Sequence, residues 1–263
     1  MRDRLAVDLR QYLEWLAPVL AMVTIIVLWE IICRVFVIPE FILPSPSEVV
    51  TAGLNQSASQ WADNITNTLT VAVAGYLVAI VVSIPLAVAL GLSPLLSRTI
   101  FPILVVIHST PVVAIAPIIV VTMGTGALPR VFITFLISFF PIIISTVTGI
   151  LETPEELLEM SRSLRAPRIR EIVQIRLPSA IPYIFSALKV SVTLAVIGAV
   201  VAEFVASETG LGYAILFSTS SFNVPAAFAN LAVLVVLSLI LFKIVSIVQV
   251  IFFSWSLETT KKK

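Results

Sequence analysis

The chain has 263 residues, 59% of them hydrophobic and 12% charged, against about 45–50% and about 25% in an average soluble domain, so water is not its main solvent. A net charge of +1 gives no argument for nucleic-acid binding, and one cysteine (Cys33) with one histidine (His108) leaves no intramolecular disulfide and almost no ligands for a metal site. At about 20 apolar residues per crossing, six crossings occupy roughly half the chain and leave short loops, with no room for a soluble domain of ordinary size.

Residues 1–15 place Leu5, Leu9, Tyr12 and Leu13 at helical spacing among Arg2, Arg4, Asp8 and Arg10. They read as an amphipathic segment lying on the membrane surface, with a disordered tail as the alternative. The apolar runs that follow are Leu16–Val37, Thr66–Leu92, Thr99–Met123, Leu128–Ile150, Ile181–Phe204 and Ala226–Trp255, which predict an all-α polytopic membrane protein with six transmembrane helices forming one domain over 1–263. Cys33 falls in the first run and reads as a small core residue.

The third run carries His108-Ser109-Thr110-Pro111 and then Pro117, polar groups and two breaks together near bilayer depth. Pro85, Pro102, Pro141 and Pro182 interrupt other runs. Each removes a backbone donor, and such breaks are tolerated where neighbouring helices or a water-lined cavity satisfy the freed carbonyls. His108, Thr110 and Pro111 are therefore candidate pathway residues, although for His108 a simple hydrogen bond to a carbonyl is the favoured reading. Glu203, at the end of the fifth run, is an ionisable group in the membrane and a candidate gate or cation partner, with a structural pairing as the competing reading. Lys243 and Lys189 also fall within runs, and Lys243 is expected to face protein or water, paired with Glu203 or Glu30.

Between the fourth and fifth runs lies residues 152–178, with five glutamates and five arginines. Pro154-Glu155-Glu156 predicts a helix start, since proline fits the first turn and carboxylates suit the positive end of the helix dipole. Leu157, Leu158, Ser161 and Leu164 then share a face, and a second segment is expected from Pro167 to a stop near Pro178. Two short helices in a charged loop suit docking into the groove of a soluble partner; a loop resting on lipid headgroups is the alternative. With the N-terminus cytoplasmic, twelve of the sixteen basic residues fall inside, in this loop, at Arg98 and near the termini including Lys261, Lys262 and Lys263, against Arg34 and Arg130 outside. Both termini are thus expected in the cytoplasm.

Glu159-Met160-Ser161, Arg165 after three residues, and Ile175-Arg176-Leu177-Pro178 after nine more resemble the Glu-Ala-Ala motif of ABC importer permeases. The match keeps Glu159, Ile175, Leu177 and Pro178 and departs at Met160, Ser161 and Arg165, the last where the family has a glycine. Leu43-Pro44-Ser45-Pro46-Ser47, Pro111 with Pro117, and Val201-Ala202-Glu203-Phe204 with Gly210-Leu211-Gly212 resemble the nitrate, sulfonate, taurine and thiamine-pyrimidine-precursor branch. The resemblance implies a type I ABC importer permease fold in a bacterial inner membrane. It also implies a coupling loop at 152–178 in which Glu155, Glu156, Leu158, Glu159, Met160, Ser161, Leu164, Arg165, Ile175, Leu177 and Pro178 meet the ATPase subunit. The further partners it implies are a periplasmic solute-binding protein and a second permease copy, making a homodimer.

The chain has no Gly-x4-Gly-Lys-Ser/Thr loop, so ATP and Mg are expected in a partner ATPase, with no cofactor, metal or catalytic residue in this chain. The solute is read as small: a sulfonate, nitrate, taurine or a vitamin precursor. The rival reading is a secondary transporter driven by an ion gradient, favoured by the broken helices and disfavoured by the lack of paired intramembrane carboxylates or an internal repeat. A structural membrane anchor ranks below both.

Overall fold

A computed structural model describes residues 2–257, the first fourteen of these by backbone alone. Eleven helices occupy the described residues: α1 (Arg2–Val35), α2 (Pro46–Asn55), α3 (Ala58–Leu92), α4 (Pro94–Ser109), α5 (Val112–Met123), α6 (Ala127–Leu151), α7 (Glu155–Ser163), α8 (Arg168–Glu171), α9 (Leu177–Ala206), α10 (Leu211–Ser220) and α11 (Val224–Phe252). A π-helical turn, Ile172–Arg176, joins α8 to α9, and a 3-10 turn, Ser254–Ser256, follows α11. Five helical stretches are long and apolar enough to cross a membrane, and α4 with α5 makes a sixth if the bent pair is one span. The expected surface segment at 1–15 has a helical backbone continuous with the first span from Arg2; its side chains, like Lys261, Lys262 and Lys263, lie outside the described residues.

The chain divides into two compact units: one of the residues up to Gln60 with Ile215–Ala232, the other of Trp61–Ala214 with the residues from Val233 onward. In the first, Glu30 of α1 accepts hydrogen bonds from Arg34 Nε (2.5 Å), from the backbone N–H of Ser47 (3.0 Å) and from its hydroxyl (2.8 Å). That ties the start of α2 to α1. Ser45 caps α2 and Glu48 returns the bond to the Ser45 N–H, so the Leu43–Ser47 segment is a capping box behind a proline turn. Cys33 is buried there, 3.7 Å from the Leu43 carbonyl.

The second unit is built on α3, α6 and α9. Its core includes Tyr76, Leu90, Ile142, Ile143, Phe185 and Leu188. In a membrane the drive for this packing is contact and hydrogen bonding rather than expulsion of water, so small residues mark where helices meet. A side chain at Gly149 would lie 2.8 Å from Cβ of Tyr183, and one at Gly198 2.9 Å from Cα of Thr134, so α6 and α9 approach as closely as glycine allows. Hydroxyls then join one helix to a backbone carbonyl of another: Tyr76 donates to Leu188 (2.9 Å), Ser83 to Phe139 (3.0 Å) and Ser145 to Tyr183 (2.8 Å). Each such bond contributes about 0.6 kcal/mol in membranes.

Candidate functional site: the elbow, the outer knot and the charged loop

The chain turns by 93° between α4 and α5. Pro111 has no N–H, and the Thr110 N–H turns to the Ile107 carbonyl (3.2 Å), which leaves the Val106 carbonyl without its helical donor. The Thr110 hydroxyl donates to that carbonyl (3.1 Å), and the Ser109 hydroxyl to Val105 (2.8 Å). The polar pair thus closes the end of one helix while proline starts the next. Among the flagged prolines only Pro111 stands at the break; Pro85, Pro102, Pro117, Pro141 and Pro182 lie within helices. His108, Thr110 and Pro111 are exposed together at this elbow. His108 makes no hydrogen bond to a carbonyl among the described residues; its ring stacks on Phe140 at 3.9 Å between centroids and 14° between planes. The third run is therefore two helices meeting at an elbow rather than one straight helix.

Glu203 is placed elsewhere. It is fully buried at the end of α9, where Thr68 of α3 donates to Oε1 (2.7 Å) and the Gly212 N–H donates to Oε2 (2.7 Å). The Thr68 hydroxyl also accepts from the Leu211 N–H (2.9 Å), so one threonine joins the carboxylate to the first turn of α10. The connection runs through Gly210 at φ 116°, and a Cβ at Gly210 would collide with the Glu203 carboxylate. Around it, Asn64 accepts from the Gly210 N–H (3.0 Å), and Arg130 of α6 donates to Asn67 (3.0 Å) and Ser207 (3.0 Å). The expected pairing of Lys243 with Glu203 is absent. The carboxylate takes its donors from the Thr68 hydroxyl and from the backbone amides of Gly212 and Tyr213, and Glu30 is bonded to Arg34 and Ser47. Thr68, Asn64, Asn67 and Arg130 were not foreseen; Asn64 and Asn67 at i, i+3 in a polar lead-in to an apolar run were the available signal.

In the charged loop, α7 begins after Pro154, as expected, and ends at Ser163. Leu158 and Ser161 are its buried residues and hold it to the chain. Glu155, Glu156, Glu159, Met160, Leu164 and Arg165 face outward, and Leu164 is 74% exposed, so Leu157 and Leu164 do not share the buried face expected of them. Past α7 the Arg165 N–H donates to Arg162 (2.9 Å) and the Ala166 N–H to Ser161 (3.0 Å), the two bonds of a Schellman turn. Arg165 holds its left-handed position at φ 50°. The turn is thus left-handed with arginine in it, at about 1–2 kcal/mol of strain.

The second segment does start after Pro167, but the expected stop near Pro178 is absent: residues 168–206 run on as one helical stretch. The reason is the π turn, in which the Leu177 N–H donates to Ile172 five residues back. Proline then falls in the first turn of α9, where a missing donor costs little. The same five-residue step brings Arg176 onto Glu171 at 2.8 Å, both largely buried. Ile175, Leu177 and Pro178 are half-buried at this junction. Beyond it lies an open cavity of about 560 Å³ lined by Pro178, Ser179, Tyr183 and Ser186 of α9 and by Trp255 and Ser256.

Five helices, or six with the bent pair, are long and apolar enough to cross a membrane, which marks a polytopic membrane protein. Residues 79–255 match the family of binding-protein-dependent transport system inner membrane components, and the chain belongs to that family, the permeases of ABC importers. It is 30% identical over 240 residues to the formylaminopyrimidine transport permease protein ThiX of Halalkalibacterium halodurans, covering 91% of this chain and 96% of that one. It is 33% identical over 251 residues to the riboflavin transport system permease protein RibX of Chloroflexus aurantiacus, covering 93% and 92%. A chain of the MetNI methionine ABC transporter in an inward-facing conformation superposes with a TM-score of 0.61 at 21% identity, covering 70% of this chain and 92% of that one, a likeness of fold. The chain is thus an inner-membrane, multi-pass permease of type I fold.

Proposed function

We propose that the chain works as a homodimer, both termini in the cytoplasm, in which each copy receives an ATPase subunit on α7 and the turn at Arg165. The observation that carries this reading is the outward face of α7. Met160, Leu164 and, past the turn, Ile169 are more than half exposed outside the apolar spans, interleaved with Glu155, Glu156 and Glu159. Apolar side chains among charges on a rigid helix suit a protein groove better than water. Leu158 and Ser161 anchor the helix, and the π turn leads it without a stop into α9, so displacement of α7 is delivered to the α6–α9 core. ATP and Mg act in the ATPase; this chain supplies the path, and a periplasmic binding protein supplies the solute. ATP binding shifts the bundle by as much as the ATPase pair grips one conformation better than the other. At the far end of α9 the knot around Glu203 positions the α9–α10 turn, while His108, Thr110 and Pro111 border the path at the elbow.

The test is co-purification and uptake. Membranes holding this chain with its ATPase should take up solute only with ATP, and Glu159→Lys or Met160→Glu should release the ATPase while the permease stays inserted. Uptake that continues without any ATPase and collapses with the proton gradient would replace the importer with a secondary transporter.

A further inference from the structure

Three helix ends among the described residues share one form. At Val37, Arg165 and Phe222 the backbone turns left-handed, with φ of 49°, 50° and 56°, and two hydrogen bonds close each turn as a Schellman cap. After α1 the Val37 N–H donates to Arg34 (3.3 Å) and the Ile38 N–H to Cys33 (3.0 Å); after α10 the Phe222 N–H donates to Thr219 (3.1 Å) and the Asn223 N–H to Ser218 (2.8 Å). Glycine or asparagine suits such a position, and a β-branched or aromatic residue is an outlier in it. Yet Val37 is 81% and Phe222 76% exposed, so packing within the chain does not hold either side chain there. In water, a bulky apolar group on an open turn has nothing to offset the strain.

Both turns belong to the unit that holds α2, and all three elements lie at one depth. The first span, Leu16–Val35, has 20 residues and is about 30 Å long, one hydrocarbon thickness, so Val37 stands at its boundary. The rings of Trp29 and Phe228 are 5.9 Å apart. Trp29 lies about 9 Å before the end of α1, and Phe222 lies about 10 Å before Phe228. With the bent pair as one span, the first and last spans run oppositely, which brings Phe222 to the level of Val35. α2 is held to that level as well, because the carboxylate of Glu30, about 8 Å before the end of α1, accepts the N–H and the hydroxyl of Ser47. Along α2, Val49, Ala52 and Gly53 are half-buried, while Ser47, Glu48, Thr51 and Asn55 make an exposed polar face. Val50 and Leu54, one turn apart, are exposed along the edge between the two.

We propose that α2 lies flat in the headgroup layer at this end of the first span, with Val50 and Leu54 turned into the acyl boundary at the depth of Val37 and Phe222, and that these side chains bind the lipid surface. An amphipathic helix of this kind buries its apolar side about 5–10 Å into that boundary. Depth selects lipid over a soluble protein as the occupant: a partner arriving from water meets what projects above the membrane, whereas the Glu30 bonds keep the start of α2 within the thickness of the span. Lipid contact also offsets the strain that water leaves standing at Val37 and Phe222. The assignment rests on the spanning fold and is independent of the ATPase and of the solute.

Spin labels report which solvent each position meets. In a Cys33→Ser background, with the permease in vesicles of phosphatidylethanolamine and phosphatidylglycerol, labels at Val37→Cys, Val50→Cys, Leu54→Cys and Phe222→Cys are compared with labels at Thr51→Cys and Asn55→Cys. Molecular oxygen concentrates in hydrocarbon and a nickel chelate stays in water. The ratio of their collision rates with the label should be at least about threefold higher at the four apolar positions than at the two polar ones. All six side chains are exposed, so a label fits at each, and a variant that fails to insert leaves the comparison within α2 or between the two turns. Equal nickel access at Leu54→Cys and Asn55→Cys would put α2 in water and overturn the proposal. So would labels at Val50→Cys and Leu54→Cys that neither reagent reaches, since a protein, either a second copy or a soluble partner, then covers the face that lipid was assigned.

Discussion

Two of the positive-φ residues at helix ends, Gly210 before α10 and Arg165 after α7, are held in opposite ways. At Gly210 the conformation is demanded twice: φ is 116°, and any Cβ would enter the Glu203 carboxylate. At Arg165 the backbone bonds are equally well formed, but φ is 50° and the side chain is exposed, so only the backbone strain opposes a larger residue. The first turn is held from inside by a buried charge and its donors. The second is held by its own two hydrogen bonds and leaves its side chain free to meet something else. Where a left-handed turn faces the core, glycine is required by space as well as by φ; where it faces outward, a cost of about 1–2 kcal/mol buys a charged group at the surface.

The sharpest way to break this contrast is Gly210→Ala. Overpacking against a side chain that is itself fixed costs about 1–3 kcal/mol, and the positive φ adds to it. The purified protein in detergent should lose several degrees of melting temperature and the membranes should lose ATP-driven uptake. An unchanged melting temperature would mean that Glu203 moves aside and that the knot is loose. Glu203→Gln tests the same turn with no change of size. If its amide turns an N–H to the Gly212 N–H, two donors face each other; if it turns to Thr68, the hydroxyl can accept it only by giving up its own donation to the side chain, so one bond is lost either way, at about 1–3 kcal/mol. Pairing with Thr68→Val should be strongly non-additive, because both substitutions unmake the same bonds; additive losses of melting temperature would show that the two residues act apart.

These partners mark the boundary of what the amino-acid order shows. The apolar runs locate the spanning helices to within a few residues at most ends, because about 20 apolar residues in a row have few other uses. Yet α3 starts at Ala58, eight residues before the apolar run at Thr66. Its polar lead-in is helical because Asn64 and Asn67 find the Gly210 turn and Arg130, contacts about 60 to 140 residues away in the chain. The donors to Glu203 are hidden for a related reason: a backbone amide carries no side-chain signature, and its direction depends on the φ of a glycine. Pro111 and Pro178 are alike on paper, but one breaks its helix and the other opens one. What separates them is the π turn before Pro178, which no run of apolar residues announces. The start of α7 after Pro154 was legible because its signal, a proline followed by two glutamates, is local.

The smallest expected effect lies at that departure. Arg165→Gly removes the left-handed strain but adds backbone entropy to the unfolded chain, so the net gain at the turn should be no more than about 1 kcal/mol. Amide exchange at Arg165 and Ala166, whose N–H groups close the turn on Arg162 and Ser161, should slow by at most about fivefold. Coupling need not follow the same sign. If the exposed guanidinium meets the ATPase, Arg165→Gly steadies the turn while weakening capture of the subunit, and Arg165→Lys, still strained, restores part of the capture. If slower exchange comes with unchanged ATPase binding in Arg165→Gly, the arginine is only a tolerated passenger in a glycine's place. Docking would then rest on Glu159, Met160 and Leu164 alone.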